Sequence, residues 1–372
     1  MGVEEELLLV DPETGALLAL STEAVAAHVA RVGSPGPAEA FGPRAGMDHE
    51  IFLAQIEVRT VPCTTSAELL SQVVDCRREA ALSAASVGAQ LVASGAPVLA
   101  GGAGPLTPGS RYQRIEDEFQ EVSRQAAVCG MHVHVEIGGD DQGVTVIDGL
   151  RPWLPVLRAM SVNSPYWQGI DTGYASWRSQ TWDRFPSSGV SEPFGDAAVY
   201  HESARALVES GAALDLGMIY AYARLSRRYP TVEVRVFDVT SEPSDTVLLA
   251  QLTRALVSTF AETPAATLEA MPPWRTEALR AAHWRASRYG LSSDLLDPYS
   301  GTRRDARSVV ESLLEFVGWT LRAAGESEEV RSRVEDLFDR GTGAARQQAA
   351  FESGGLEAVI RHLCDRFAAS CA

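Results

Sequence analysis

Apolar and polar residues alternate with a period of two in four well-separated segments of this chain. GVEEELLLV (2–10), EIFLAQIEVRTV (50–61), CGMHVHVEIGG (129–139) and TVEVRVFDV (231–239) each read as a strand with one apolar and one charged face. In the third, Met131, Val133, Val135 and Ile137 alternate with His132, His134 and Glu136. In the first, Glu4 and Glu6 share a face and Glu5 lies opposite; the second pairs Glu57 with Arg59, and the fourth sets Glu233 and Arg235 against Val232, Val234 and Val236. Helical spacing marks 21–32, 65–88, 149–163 (with Pro152 and Pro155 early, where proline is tolerated) and 197–209. Shorter strands are expected at 90–97 and 213–220, and loops at SPGPAEAFGPRAG (34–46) and AGGAGPLTPGSRY (100–112). The segment 164–189 is a long loop rich in aromatics, which predicts an ordered, functional lid. From about 245 the pattern is mainly helical. With no repeat and no clear linker, residues 1–372 read as a single α+β catalytic domain whose part from 245 to 372 is mostly helix.

A sheet face turned to water is the ordinary reason for such alternation, and such a face favours Thr, Lys, Ser and Gln. Here the residues are Glu, His and Arg, which bind hard cations and phosphates. Side chains at i and i+2 stand about 7 Å apart on a strand, so Glu4 and Glu6 suit two neighbouring ions or one ion held from both sides. Glu50 lies an odd offset from Glu57, so either it precedes the strand or a bulge intervenes. The carboxylates favour Mg²⁺ or Mn²⁺ over zinc, which would want a compact His and Cys set. The His132-x-His134 pair also opens amidohydrolase sites, but His201, His283 and His362 stand at no convincing strand end.

The formal net charge of -17 disfavours nucleic acid and anionic membranes as partners. All 32 Lys+Arg residues are arginine, so there is no phosphate-loop or Schiff-base lysine, and phosphate must be met by Arg, backbone N–H groups and metal. The glycines of 100–112 have neither the spacing nor the helix start of a dinucleotide loop. Five cysteines without a CxxC pair, no apolar run of about 18 residues and no signal segment point to a cytoplasmic protein with reduced thiols.

GVEEELLLVDPETG, CGMHVHVEI, LRPWLPVLRAMSVNSPYWQGIDTGYASWRSQTW and TVEVRVFD together resemble the bacterial carboxylate–amine ligases of the glutamate–cysteine ligase type 2 family, in order from residue 2 to about 365. The resemblance implies a glutamine synthetase/guanidino kinase-like fold, an antiparallel β-sheet funnel with helices packed outside. It implies ATP-dependent amide formation through an acyl phosphate, with glutamate and cysteine as one substrate pair and other acids and amines as the alternative. By the same match, Glu4, Glu6, Glu50, Glu57, His132 and Glu233 are metal positions for Mg²⁺ or Mn²⁺ and Arg235 is a phosphate contact. Arg178 and Arg111 are candidate clamps for ATP or a substrate carboxylate, and His134 and Tyr174 candidate substrate-binding residues. The glutamate motif begins at residue 2, which exposes the first metal position to fraying. A guanidino kinase-like phosphotransferase and a ligand sensor are the competing readings. Helices near 66–86 and 305–323 leave a homodimer face open.

Overall fold

A computed structural model describes residues 1–33, 46–102, 104–262 and 272–372; the loop expected at 34–46 falls almost wholly outside them. The strands are β1 (Gly2–Val10), β2 (Gly46–His49), β3 (Gln55–Arg59), β4 (Gln90–Val92), β5 (Gly130–Glu136), the two-residue β6 (Tyr166–Trp167) and β7 (Ile170–Asp171), β8 (Ala223–Leu225), β9 (Thr231–Asp238) and the two-residue β10 (Leu295–Leu296) and β11 (Arg303–Arg304). Seven of these form one sheet in the order β2-β3-β1-β5-β9-β8, with β4 pairing the far half of β1, and every pairing is antiparallel. Strand β1 is therefore central, and it is paired from Gly2 onward, so its start is not frayed.

The valines of β5 and β9 and Val3 of β1 pack with Val144, Leu157, Leu248 and Phe260 of the helices Asp140–Leu150, Leu154–Ser161 and Pro243–Glu262. Leu7 and Leu9 of β1 and Ile56 and Val58 of β3 join Leu91, Val359, Leu363 and Phe367 in a second core. Helices thus cover the apolar face, as the alternation requires. A third cluster, with Phe52, Ile115, Phe185 and Tyr220, joins the β2–β3 turn to the helix Ser110–Phe119 and the segment around 185–220.

The helix Ser66–Ser86 starts where the Thr/Ser signal places it. The Thr65 hydroxyl accepts from the Glu68 N–H while the Glu68 carboxylate accepts from the Thr65 N–H. Expected and observed elements differ elsewhere for local reasons. The helix expected at 149–163 is two helices, because the chain turns at Arg151–Trp153 before restarting with Pro155 in its first turn. The strand expected at 213–220 is a short 3-10 turn, since the Asp215 carboxylate accepts from the Gly217 N–H; the strand instead forms at Ala223–Leu225. The helix Ser110–Phe119 begins inside the expected loop. The expected lid at 164–189 is packed structure: it holds β6, β7 and the helix Trp177–Trp182, with Tyr166, Ser176, Arg178 and Phe185 buried.

Glu5, alone of the β1 glutamates, points into the helical layer. Arg77 of helix Ser66–Ser86 donates to it twice, from Nε at 2.8 Å and Nη2 at 2.7 Å, and both side chains are almost fully enclosed. The same guanidinium donates to the carbonyls of Thr240 and Ser241, and the Thr246 hydroxyl donates to Glu5 at 2.7 Å. Because every partner is present, the pair is tolerated; removing one leaves a bare buried charge. Arg77→Met should destabilise the protein by about 3–5 kcal/mol, and Glu5→Leu/Arg77→Met by clearly less than that. Urea unfolding of the three proteins checks this.

Candidate active site

Antiparallel register sets the charged residues side by side. Glu4 lies opposite Arg59 on β3 and His132 on β5, and Glu6 opposite Glu57, which itself faces Asp48 on β2. His134 lies opposite Glu233, and Glu233 opposite Arg224 on β8. Directly opposed residues share a sheet face, so these side chains converge on the face away from the helices. Glu50 resolves its odd offset by lying just past β2, in the turn to β3 rather than on a strand, where its carbonyl accepts from the Thr107 hydroxyl. The structure thus brings Glu4, Glu6, Glu50, Glu57, His132, His134, Glu233 and Arg235 into one patch, while Glu136 at the end of β5 is exposed.

One side of this patch is charge-matched. Arg224 donates to Glu233 from Nε at 2.8 Å and Nη2 at 3.0 Å, and Arg235 donates to the same carboxylate. Burial alone would raise Glu233, but Arg235 and Arg224 outweigh it and hold the group far below the usual carboxylate range. Burial likewise opposes ionisation of Glu4, yet hydrogen bonds with His132 and His134 keep it well below the ordinary value. His132 Nδ1 is 3.2 Å from Glu4 and His134 Nδ1 is 3.0 Å from the Thr231 hydroxyl.

The other side is not matched. Burial, with Glu6 next, pushes Glu50 up to about 8. Burial and then Glu4, Glu50 and Glu6 push Glu57 well above its ordinary value. Arg59 is 3.5 Å from Glu57 but is held by Asp48 at 2.5 Å. Crowded carboxylates with too little positive charge are the setting in which a cation is bound. Three groups offer ligand atoms within 4.8 Å of one another: Glu4, Glu57 and His132; Glu4, His134 and Glu233; and Glu6, Glu50 and Glu57. His132 Nε2 and His134 Nε2 are buried and meet only carboxylates, Glu6 at 3.6 Å and Glu4 at 3.5 Å. The donor set therefore fits a hard divalent cation, with carboxylate oxygens dominant and imidazole in support.

The remaining sequence candidates divide. Arg178 is buried near the patch: a Cβ on Gly130 would lie 2.1 Å from its Nη2, and Gly130 N–H donates to Glu6 at 2.5 Å. No carboxylate pairs with it among the described residues, and its Nε is without a partner. Burial lowers its pKa. Arg111 is exposed and pairs with Asp215 at 3.2 Å, so it stands outside the carboxylate patch. Its neighbour Tyr112 feels Glu50 and Glu57, which with burial raise its hydroxyl pKa. Tyr174 turns away: its ring meets Trp177 and Arg288, and its hydroxyl accepts from Trp284. The sequence reading missed Arg224 and Asp48. Both lie on strands of three and four residues, too short for alternation to register.

Three solved structures share this fold. Over 99% of this chain and 52% of the other, it superposes on a bifunctional glutathione synthetase from Pasteurella multocida with a TM-score of 0.63 at 16% identity. It spans about half of that longer chain. A glutamate–cysteine ligase from Francisella tularensis, solved in complex with AMP, gives 0.63 at 11% identity, covering 100% of this chain and 92% of that one. The ligase PafA, in complex with the ubiquitin-like protein Pup, gives 0.53 at 13% identity over 98% and 72% of the two chains. These likenesses show a shared fold built on an antiparallel sheet. The model of glutamate–cysteine ligase family 2 matches residues 1–362, and the chain belongs to that family. It is 45% identical to a Nocardioides protein named "Putative glutamate--cysteine ligase 2-1", over 100% of this chain and 96% of that one. It is 43% identical to a Streptomyces coelicolor protein named "Putative glutamate--cysteine ligase 2", over 97% and 96%. The protein is accordingly an enzyme, an ATP-dependent ligase.

The unmatched carboxylates have a measurable signature. Glu50 keeps its proton in the folded, metal-free protein between its ordinary value of 4.5 and about 8, where the unfolded chain has lost it. The native state binds more protons across that window, so metal-free stability falls as pH rises through it. Thermal melts in EDTA from pH 5 to 9 should show this fall, and Glu50→Gln should flatten it. Glu233→Gln should behave oppositely, lowering stability by roughly 3 kcal/mol because Arg224 and Arg235 are left buried without their anion.

Proposed function

We propose that this ligase joins a carboxylic acid to an amine through an acyl phosphate, with ATP phosphorylating the acid. The single observation that carries the reading is the division of the patch into a carboxylate-rich half without matching charge and a half where guanidinium groups gather. Glu4, Glu6, Glu50, Glu57, His132 and Glu233 are the residues to hold Mg²⁺ or Mn²⁺, with His134 beside them. When bound, such a cation supplies the positive charge that lets phosphate oxygens and a substrate carboxylate come together.

The protein's own groups do the rest. Arg224 fixes Glu233 through a bidentate pair, and Glu233 in turn holds Arg235 in place at the floor of the cleft. With its proton on Nδ1 facing Glu4, His132 presents the Nε2 lone pair toward Glu6, 3.6 Å away. Arg178, buried and with no carboxylate partner among the described residues, has an unpartnered Nε–H to offer an incoming anion, a phosphate or a carboxylate. No side chain needs to attack the substrate. The acyl phosphate carries the activation, the amine lone pair attacks its carbonyl carbon, the C–O bond to phosphate breaks, and the proton the amine loses leaves with the phosphate as hydrogen phosphate.

Glutamate and cysteine are the substrate pair named for the relatives and the first to test; other acids and amines remain the alternative within the same chemistry. The family membership favours ligation over a guanidino kinase-like phosphotransfer. No helix of the described residues is long and apolar enough to cross a membrane.

The test is ADP release from Mg²⁺ and ATP across a panel of acids and amines, followed by hydroxylamine in place of the amine. Release that needs both partners, and a hydroxamate with hydroxylamine, is the expected result. A stable phosphorylated acceptor would instead indicate a kinase. Glu57→Gln and Glu4→Gln should each cut turnover about a hundred- to a thousandfold, as loss of an electrostatic catalytic group does.

A further inference from the structure

Asp238, the last residue of β9, is a buried carboxylate with 1% exposure that the proposed chemistry does not use. No arginine or histidine forms an ion pair with it among the described residues. It is held by neutral donors: the Asn163 N–H at 2.8 Å, the Ser164 hydroxyl at 2.6 Å and the Ser176 hydroxyl at 2.8 Å. A buried charge bonded only by neutral donors costs stability, and the guanidinium whose field does most to offset its burial is that of Arg178.

What Asp238 grips is the frame of Arg178. Ser176 is the N-cap of the helix Trp177–Trp182 and accepts from the Ser179 N–H. Ser164 accepts from the Arg178 N–H at 3.1 Å, and its carbonyl accepts from the Trp177 N–H. Both serines that Asp238 binds therefore fix the backbone of the residue whose guanidinium enters the cleft. That guanidinium then returns to β9, donating from Nη2 to the Arg235 carbonyl at 3.4 Å. The strand that carries Glu233 and Arg235 so carries, three residues further on, the anchor for Arg178. The fit is close, since a Cβ on Gly130 would overlap the guanidinium and a Cβ on Gly95 would lie 2.8 Å from the Asp238 carboxylate.

We propose that Asp238 is a positioning residue: through Ser164 and Ser176 it holds the Arg178 guanidinium over Gly130, where it meets the anionic part of the nucleotide. This rests on the reading of the cleft as the site of Mg²⁺ and ATP.

The experiment is calorimetric titration of the full-length protein with Mg²⁺–ATP, without acid or amine. Wild type is compared with Arg178→Gln, Asp238→Asn and the double variant, and thermal melts are run in parallel. Arg178→Gln and Asp238→Asn should each weaken binding about tenfold, and the double variant no more than the weaker single, because residues acting through one another are not additive. Asp238→Asn should keep the wild-type melting temperature. If it does not fold, Ser164→Ala and Ser176→Ala each remove one link and should weaken binding about threefold, half the tenfold effect on a free-energy scale. Additive losses, or wild-type affinity in the Asp238 and serine variants while Arg178→Gln is weakened, would overturn the positioning role and leave the nucleotide reading intact. Wild-type affinity in Arg178→Gln would overturn both.

Discussion

Mutual repulsion among Glu4, Glu6, Glu50 and Glu57 is the constraint around which this protein is arranged. Carboxylates on adjacent antiparallel strands are brought within a few ångströms by the backbone hydrogen bonds themselves, and no rotation of the side chains separates them fully. The sheet must be stable enough to impose that proximity. It draws that stability from its other face, where the valines of β5 and β9 and the leucines of β1 are covered by helices. Hydrophobic burial behind the sheet holds like charges together in front of it.

Strand β1 shows how far a residue's role depends on the side it faces. Glu4, Glu5 and Glu6 are consecutive and chemically identical. Glu5 accepts from a dedicated arginine and from the Thr246 hydroxyl and becomes part of the framework. Glu4 and Glu6 meet histidines, a backbone N–H and more carboxylates. The arginine that secures the middle glutamate also secures the register that presents its neighbours, so framework and site are coupled through a single strand.

The strands and the face that carries each charge were legible because period-two alternation is a direct image of a sheet with one covered side. Hence β1, β3, β5 and β9, and the convergence of Glu4, Glu6, Glu57, His132 and Glu233, were readable from the chain. What was not legible depended on short elements and on distant partners. Arg224 and Asp48 lie on strands of a few residues, where alternation has no room to register. The true place of Glu50 depended on where β2 ends. The segment 164–189 read as an ordered lid from its length and aromatics; that it is packed structure, with Ser164 and Ser176 bonded to Asp238, 74 and 62 residues further on, is something no local pattern announces. The partners of Arg111 and Tyr174, Asp215 and Trp284, lie more than 100 residues away along the chain, equally out of reach of any local pattern.

Among the described residues every side-chain ion pair is made by guanidinium or imidazole, since the chain has no lysine. Guanidinium groups stay protonated at any physiological pH and are poor acyl acceptors. On the proposed acyl-phosphate route, the protein offers its mixed anhydride no side-chain amine, so acylation of lysine, the commonest side reaction of such a reagent, has no target on the catalyst.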